Sequence, residues 1–516
     1  MQELKRLAGL AILAAVIGGG IFVFFEKKEA VKEITFSTSD AKGLKGEISI
    51  ALDSWIGYFY FKSPVFGTMM RDEGYRIKVI DDKADYPERM KMLKDGEIDF
   101  AVCTVDSYLL NGKSVKYPGA IIAVLDQSKG GDAVVAWKDS VQNIEALKTK
   151  QKFTIAFTPA SPSEHLLKAI SSHFDIPLFA SGDTKWRVEV NGAEEGYEKF
   201  MKRGVDCAAI WEPHVTEALS DPGVVKLIGS EDIENLIVDI LLVNRNFAKQ
   251  KPELVNLLLR KYFETMNYYR SSPLRLKQDI TAHLSIAEKK VEYMLKGVKW
   301  INYAENTTWF GLTTKSQHKQ PEIVDAINST LKILIENKDF SSNPLIDNDP
   351  YTVINSAFIA SLYGGVTKPG DDSSASDQSL NRRFAQISDR EWLSLSVVGS
   401  LKIRPVTFRS GTSMIDESGQ EQIKEIVESI RHYPNFRILV KGHSGLKGDP
   451  SANSELSRVR AEAVKKIFVT SYGMDPNRIR TNGVGSGEPL SRLTDESERE
   501  YDNRLKRVEV MLLTEK

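Results

Sequence analysis

A run of uncharged residues near the N-terminus constrains the topology of this chain more than any other feature. The 19 residues from Leu7 to Phe25 include no Asp, Glu, Lys or Arg. As a helix rising about 1.5 Å per residue they would extend about 28 Å, close to the roughly 30 Å hydrocarbon core of a bilayer. No small-residue cleavage site and no lipid-accepting cysteine follows the run. We therefore predict an uncleaved transmembrane helix over residues 7–25, with residues 1–6 as a cytoplasmic tail and the rest of the chain exported.

The composition excludes several classes of function. A net charge of −1 over 516 residues gives no reason to expect a nucleic-acid partner. Two cysteines are too few for a disulfide framework, and Cys103 and Cys207 lie in strand-like apolar segments that predict buried free thiols. The seven histidines show no metal-ligand spacing, and neither a nucleophile elbow nor a phosphate-binding loop occurs. We expect neither catalysis nor a metal or cofactor.

Strand-like and helix-like segments alternate along most of the exported part. Residues 26–45 are polar and predict a stalk, and residues 46–363 alternate in the way that is typical of parallel α/β layers. From about residue 250 this region is mostly helical, with NYAENTTWFG predicted as an irregular break. A Gly/Ser/Asp-rich linker is predicted over 364–390, followed by a smaller α/β domain at 391–516 in which LKIRPVTF is predicted as a strand.

An internal repetition predicts that residues 46–363 form two lobes. Gly96-Glu97-Ile98-Asp99 leads into the strand FAVCTV, and Gly204-Val205-Asp206 leads into CAAIWEP. Each is a helix end, a turn and a strand that finishes at a polar group. Two such units predict a cleft, and clefts of this kind bind ligands at strand C-termini and helix N-termini.

Residues 46–363 resemble the substrate-binding proteins of nitrate, sulfonate and taurine uptake systems. The resemblance rests on SWIGY at 54–58, LKDGEIDFAVCTVDSYLL at 93–110, AIWEP at 209–213 and IVDILLVNRNFAKQKPELV at 237–255. It implies a two-lobed type II periplasmic-binding-protein fold with the ligand at the strand ends. The cleft residues that it implies are Asp53, Ser54, Trp55, Tyr58, Thr104, Asp106, Ser107, Ser161, Ser163, Glu212 and Asp239.

The chemistry of these residues leaves the ligand class open. Ser161 and Ser163 stand where a helix begins, which suits an anion, although serines there are also ordinary helix caps. Trp55 could equally be a core residue. Glu212 and Asp239 would repel an anion unless they are paired. An anion, a zwitterion or an amine-bearing ligand therefore all remain open, as does a cleft that holds a protein partner.

Residues 391–516 resemble the OmpA-like peptidoglycan-binding domain that also ends flagellar stator B subunits. The motif residues are Gly442, His443, Ser444, Gly445, Gly448, Asn453, Leu456, Ser457, Arg460 and Ala461, and VGSGEP at 484–489 and Arg507-Val508-Glu509 also fit. The resemblance implies that Ser444, Gly445, Asn453, Leu456, Ser457 and Arg460 hold a peptidoglycan stem peptide. A guanidinium at 460 can form a forked pair with a stem carboxylate, which lysine cannot copy.

Gly445 departs from this family pattern. The family usually has an aspartate there, which holds the ammonium of diaminopimelate. Loss of one charge-assisted hydrogen bond is worth about 1.5–3 kcal/mol, or roughly 10- to 150-fold in affinity. Asp449 could substitute if the loop folds back. The run Leu505-Lys506-Arg507 also alters the family's usual residues before the last strand.

Together these features predict a solute-binding or solute-sensing protein of the bacterial periplasm. We expect it to be anchored once in the inner membrane and attached to peptidoglycan. One alternative is a substrate receptor that feeds an ABC transporter. Another is a stator-like or scaffold subunit with an integral membrane partner, although residues 7–25 lack the ionisable group that ion conduction requires.

Overall fold

The structure is a computed structural model that describes residues 43–515, apart from 151, 175, 177–178, 180–183, 314–319, 363–381, 410 and 495. The predicted tail, the anchor at 7–25, most of the stalk and the 364–379 stretch of the predicted linker lie outside the described residues. No helix in the described part of the chain is both long and apolar enough to span a bilayer. From Glu47 onward the chain forms one compact unit.

Fifteen strands are assigned within the described residues. They are β1 Gly46–Leu52, β2 Tyr75–Asp81, β3 Phe100–Thr104, β4 Gly119–Ser128, β5 Asp132–Trp137, β6 Ile155–Phe157, β7 Arg187–Glu189, β8 Cys207–Trp211, β9 Val224–Gly229, β10 Val238–Asn244, β11 Val298–Trp300, β12 Ser396–Ser400, β13 Arg437–His443, β14 Ile479–Gly485 and β15 Val508–Thr514.

The α-helices of the described residues connect and cover these strands. They are α1 Phe59–Lys62, α2 Pro64–Asp72, α3 Tyr86–Asp95, α4 Val105–Gly112, α5 Pro162–His173, α6 Gly192–Met201, α7 His214–Leu219, α8 Arg245–Gln250, α9 Pro252–Ser271, α10 Pro273–Leu284, α11 Glu288–Lys296, α12 Tyr303–Trp309, α13 Glu322–Glu336, α14 Ala357–Ser361, α15 Asp389–Ser394, α16 Glu417–Arg431, α17 Pro450–Tyr472 and α18 Glu498–Leu505.

The strands form three sheets. Lobe 1 contains a six-stranded sheet in the order β11-β4-β10-β3-β1-β2, and lobe 2 contains a five-stranded sheet in the order β7-β6-β8-β5-β9. The chain passes from β4 of lobe 1 to β5 of lobe 2 through residues 129–131 and returns from β9 to β10. The C-terminal domain contains a four-stranded sheet in the order β12-β15-β13-β14.

Local sequence explains the first repeated unit well. Asp85 caps α3 by accepting the N–H of Glu88, and Pro87 stands in the first turn, where its missing N–H is not needed. Gly96 ends the helix at φ 75°, which glycine adopts without strain. The strand β3 follows directly and is buried along its whole length. The same order of helix, turn and strand recurs from α6 to β8, so the two-lobed prediction is supported.

The prediction of parallel layers is wrong in detail, because all three sheets are mixed. β10 pairs antiparallel with both β3 and β4, and β5 pairs antiparallel with both β8 and β9. In the C-terminal domain β13 is parallel to β14 but antiparallel to β15. β5 and β10 each follow a crossing of the chain between the lobes. Each runs antiparallel to both of its neighbours in the sheet that it joins. Helix–strand alternation alone does not show this.

Two local predictions are also wrong. The segment NYAENTTWFG is not an irregular break, because Asn302 and Glu305 form a capping box that starts α12. The segment LKIRPVTF is not a strand, since the strand of this region is β12 and ends at Ser400. Pro405 lacks the N–H that a strand ladder requires, which accounts for the second error.

The C-terminal domain packs directly against lobe 2. One hydrophobic core contains Ile144 and Phe157 of lobe 2 together with Ile430 and Val510 of the C-terminal domain. The ring of Phe174 lies so close to Gly399 that a Cβ there would clash with it, and Phe174 forms an isolated bridge with Leu401. The two parts are thus packed together, although the sequence between them has the composition of a flexible linker.

Polar contacts cross the same junction. The Nδ1 atom of His173 lies 2.6 Å from the hydroxyl of Tyr433, and the rings of His173 and His432 stack with centroids 5.2 Å apart. The Glu145 carboxylate accepts the N–H of Ser400 at 2.8 Å. Burial is the main cause that lowers the pKa of His432 to about 4, so this ring is neutral at neutral pH.

The depressed pKa of His432 predicts an acid-sensitive junction. A neutral His432 stabilises the fold above about pH 6.5, and that stability is lost as the pH falls through about 4, because the unfolded chain then binds the proton more readily. Relative to His432→Phe, which keeps a ring for stacking, the wild-type protein should lose about 3 kcal/mol of unfolding free energy over this range. Urea unfolding at several pH values measures the difference. The half-buried His214, remote from the junction, provides the control variant His214→Gln. Parallel pH profiles for wild type and His432→Phe would contradict the prediction.

Candidate functional site

The predicted cleft residues come together where the two lobes meet. All of them are buried except Ser54, which is exposed. They lie at the carboxyl ends of β1, β3 and β8, at the amino end of β10 and at the starts of α4 and α5. The fold thus brings these residues together, and Ser54 is the one member that is exposed to solvent.

Asp53 is paired within the protein. Its carboxylate lies 3.2 Å from Nη2 of Arg89, which is fully buried and also binds Asp82. Asp53 further accepts the backbone N–H of Trp55 at 3.0 Å, and Lys62 donates to its backbone carbonyl. One guanidinium thus serves two carboxylates. Arg89 was missed by the sequence analysis because a buried arginine inside YPERMKML looks like a solvated helix position.

Asp239 faces a second carboxylate, Asp126, which the sequence analysis also missed. The two residues are direct partners across the antiparallel β4–β10 ladder. Tyr58 donates its hydroxyl hydrogen to Asp239, and the indole N–H of Trp55 donates to Asp126 Oδ1 at 3.0 Å. Both carboxylates are essentially inaccessible to solvent. The available signal was the single acidic residue in the apolar strand sequence AIIAVLDQS.

Burial raises the pKa of several carboxyl groups here. Desolvation is the main cause that raises the pKa of Asp126 to about 7 and that of Asp132 to about 7. The pKa of Asp239 is raised well above its usual range by burial and by the charge of Asp126. The Asp106, Asp126 and Glu212 carboxylates add to the effect at Asp132, so carboxyl groups of both lobes lie within electrostatic range of one another.

Thr104, Asp106 and Ser107 connect the lobes at the start of α4. The Thr104 and Ser107 hydroxyls are 2.9 Å apart, and Ser107 also reaches the carbonyl of Ala160 in lobe 2 at 3.4 Å. Asn111, one turn further along α4, donates to the same carbonyl. Asp106 Oδ1 is buried and has no hydrogen-bond partner among the described residues.

The two serines at the start of α5 have mainly local roles. Ser161 donates to the carbonyl of Thr158 at 2.7 Å, and Ser163 accepts the N–H of Thr158 at 3.1 Å. Neither side chain caps α5. In lobe 2, Glu212 is satisfied by the N–H and hydroxyl of Thr216. These residues shape the cleft wall, and the serine hydroxyls hold the turn before α5.

The region where the two lobes meet is therefore acidic. Besides the paired Asp53 it contains five buried carboxyl groups from both lobes, namely Asp106, Asp126, Asp132, Glu212 and Asp239. Within the part of the chain that the structure describes, no three His, Cys, Asp or Glu side chains are placed to hold a metal ion.

The predicted residues of the C-terminal domain cluster around the loop after β13. Asn453 donates to the carbonyl of Lys447 at 3.0 Å, and Ser444 donates to the carbonyl of Gly445 at 3.1 Å. The Ser457 hydroxyl accepts the N–H of Gly485, which fixes α17 against the end of β14. Leu456 is half-buried beside them. Asn453 and Ser457 thus support the shape of the loop.

Arg460 lies on α17, one turn after Leu456 and Ser457. Its Nε donates to the carbonyl of Thr412 at 3.0 Å, and its guanidinium carbon lies 5.0 Å from the centroid of the Phe408 ring. Among the described residues, its two Nη nitrogens donate no hydrogen bond. Burial lowers the pKa of this guanidinium, which remains positively charged. A guanidinium that is held in one orientation and has both Nη nitrogens available suits a carboxylate ligand.

The space beside Gly445 is filled by Asp502 of α18. A Cβ at position 445 would clash with Asp502 Oδ1, and the carboxylate pairs with Lys506 at 2.5 Å. Asp449, the other candidate acid, is exposed and caps α17 by accepting the N–H of Ala452. The sequence analysis missed Asp502 because it lies 57 positions from Gly445 in the printed sequence.

Comparison with known proteins identifies relatives of the C-terminal segment. Residues 407–503 match the OmpA family. The chain is 30% identical over 86 residues to outer membrane porin F of Pseudomonas aeruginosa, which is 17% of this chain and 25% of that protein. It is 28% identical over 86 residues to the peptidoglycan-associated lipoprotein of Brucella melitensis, 17% of this chain and 51% of that protein. This chain thus spans about a quarter to a half of the length of these relatives.

The two lobes are similar to solved binding proteins. The alkanesulfonate-binding protein SsuA from Xanthomonas axonopodis pv. citri, bound to MOPS, aligns at a TM-score of 0.44 with 14% sequence identity. The alignment covers 57% of this chain and 93% of that chain.

The buried carboxyl pair makes a pH-dependent prediction. Asp126 has a raised pKa in the folded state, so its contribution to stability is complete below about pH 4 and is lost as the pH rises through about 7. The variant Asp126→Asn has no such loss and should gain up to about 4 kcal/mol of unfolding free energy relative to wild type between these limits. Denaturant unfolding across the range measures it, with the exposed Asp95→Asn as control. A constant difference between Asp126→Asn and wild type would contradict the assignment.

Proposed function

We propose that this protein binds a small solute in the cleft between its lobes and is attached to the peptidoglycan of a bacterial envelope by its C-terminal domain. The observation that carries this proposal is the junction at which lobe 2 and the OmpA-type domain share one hydrophobic core. Such packing fixes the position of the solute cleft relative to the wall-binding surface. A flexible link between independent domains would not do so.

The arrangement around Arg460 supports the peptidoglycan part. Its free Nη nitrogens can take a carboxylate of the stem peptide in a forked pair. Asp502 supplies the acid that Gly445 lacks, because its carboxylate occupies the space of a side chain at that position, and the stem ammonium would replace Lys506 as its partner. A stem peptide that carries both a carboxylate and an ammonium then finds a partner for each charge.

The N-terminal segment completes the proposal. A helix over residues 7–25 would hold the protein in the inner membrane, with the lobes and the C-terminal domain in the periplasm. The stalk of 20 residues could extend about 66 Å at roughly 3.3 Å per residue. Attachment to both membrane and wall favours local solute sensing over diffusional collection of solute for a transporter.

Removal of the Arg460 guanidinium should weaken peptidoglycan binding. Arg460→Ala should lower the affinity about 10- to 100-fold, since a buried charge-assisted pair is lost. Co-sedimentation with purified peptidoglycan at increasing concentration measures this. Arg458→Ala is the matched control, because Arg458 lies on the same helix, is exposed and pairs with Glu455. Equal sedimentation of the Arg460→Ala and wild-type proteins would exclude Arg460 from the site.

The role of Asp502 has a reciprocal test. Asp502→Ala should weaken co-sedimentation about 10-fold or more, and adding Gly445→Asp to this variant should restore binding, because the space beside position 445 is then free. Glu498→Gln on the same helix is the control, since Glu498 pairs with Arg492 at the surface. If Asp502→Ala binds peptidoglycan like wild type, the acid has no role in binding.

A further inference from the structure

We infer that the cleft selects a ligand with a positively charged ammonium group that carries N–H donors, and that it rejects sulfonates and other anions. This inference rests on the proposed solute-binding role of the cleft and specifies the chemistry of its ligand.

The strand register brings two carboxyl groups together in lobe 1. Asp126 and Asp239 are direct cross-strand partners, so their side chains leave the same face of the lobe 1 sheet side by side. Two charged carboxylates in this arrangement would repel, and burial together with the charge of Asp126 favours a proton on Asp239 in the ligand-free protein. A cation between or beside them would remove the repulsion. No lysine or arginine bonded to either carboxylate is present among the described residues.

The second observation is the unmet hydrogen-bonding capacity of the site. Asp126 Oδ2 and Asp106 Oδ1 are inaccessible to solvent and receive no donor from the described residues. These two side chains are 0% and 1% exposed. A buried carboxylate oxygen without a donor is costly, and natural proteins satisfy nearly all such atoms. An ammonium ligand carries a positive charge and up to three N–H donors, which either of these oxygens could accept.

The nearby protein cations cannot take this role. Arg89 is occupied by Asp53, Asp82 and the carbonyl of Val102. Lys62 donates to the carbonyl of Asp53, away from the pair. The other donors that reach the pair are neutral, since they are the Trp55 indole and the Tyr58 hydroxyl. A sulfonate would present only acceptor oxygens to a site that already has an excess of acceptors.

The aromatic residues fit the same ligand. Trp55 is held against the segment that connects the lobes, where a Cβ at Gly131 would clash with its ring. Tyr58 is buried and bonds Asp239, whereas the ring of Tyr86 already faces the Arg89 guanidinium at 4.8 Å. Aromatic faces attract cations and accommodate an alkyl chain. The requirement for N–H donors distinguishes this site from an aromatic cage for a quaternary ammonium.

The test compares ligands that share a carbon chain and differ in charge. The thermal unfolding midpoint of the purified full-length protein is measured with 1-butylamine, 1,4-diaminobutane, 1-butanesulfonate and tetramethylammonium chloride. We expect both amines to raise the midpoint while butanesulfonate leaves it unchanged. Titration calorimetry should give about 10- to 100-fold weaker amine binding for Asp126→Asn and for Asp106→Asn, and unchanged binding for the exposed Asp95→Asn.

Each contrary outcome is informative. A midpoint raised by butanesulfonate and not by the amines would overturn the ammonium inference while leaving solute binding intact. Equal effects of tetramethylammonium and butylamine would overturn the requirement for N–H donors. No effect of any of the four compounds, in a protein that still sediments with peptidoglycan, would overturn the inference. That outcome would also remove support for the solute-binding role, so that the cleft would be better explained as a protein-binding surface.

Discussion

The packing of the C-terminal domain onto lobe 2 is the interaction on which the remaining structure depends. Phe174 ends α5 and lies against β12, where Gly399 leaves room for its ring. Tyr433 contacts Phe174 from the other side and bonds His173. Large buried aromatic side chains of this kind dominate the energetics of an interface. Without this contact, the proposed solute site and the proposed peptidoglycan site would lie on two independent domains of one chain.

A helix of lobe 1 extends the same connection. α13 places Ile323 and Leu334 in the core of lobe 1, while Ile333 on the same helix packs into the core that lobe 2 shares with the C-terminal domain. Just beyond it, Asn337 and Asp339 bind the α5 residues Ser172 and Lys168. Movement of the lobes relative to each other would therefore change the contacts of α5, the helix that also contacts the C-terminal domain. This geometry would connect the proposed solute binding physically to the C-terminal domain.

The sequence allowed the architecture to be predicted better than the chemistry of the sites. Glycines at helix ends and apolar strand segments predicted the two lobes, and the motif around Arg460 predicted the OmpA-type domain. Mixed strand directions, the acid pair at Asp126 and Asp239, and the placement of Asp502 beside Gly445 all depend on which distant segments become neighbours. No local pattern encodes these pairings. The capped start of α12 could have been recognised, because Asn302 and Glu305 have the spacing of a capping box.

Charge balance explains why the two sites are expected to bind different chemistries. The C-terminal site combines a guanidinium with free nitrogens and one acid beside a glycine, which suits a ligand of mixed charge. The cleft combines several buried carboxyl groups with a single guanidinium that is already paired. Burial keeps protons on some of these carboxyl groups, and a bound cation would replace such a proton. The cleft is thus held in a state that a positively charged ligand would stabilise.

The central claim is that lobe 2 and the C-terminal domain form one cooperative unit. Native-state hydrogen exchange of the full-length protein, measured at increasing denaturant, tests this most directly. The account predicts that the amides of α5 in lobe 2 and of α16 in the C-terminal domain exchange with the same free energy and the same denaturant dependence. Exchange of α16 by an opening of lower free energy, with α5 still protected, would contradict it and would show two domains that merely touch.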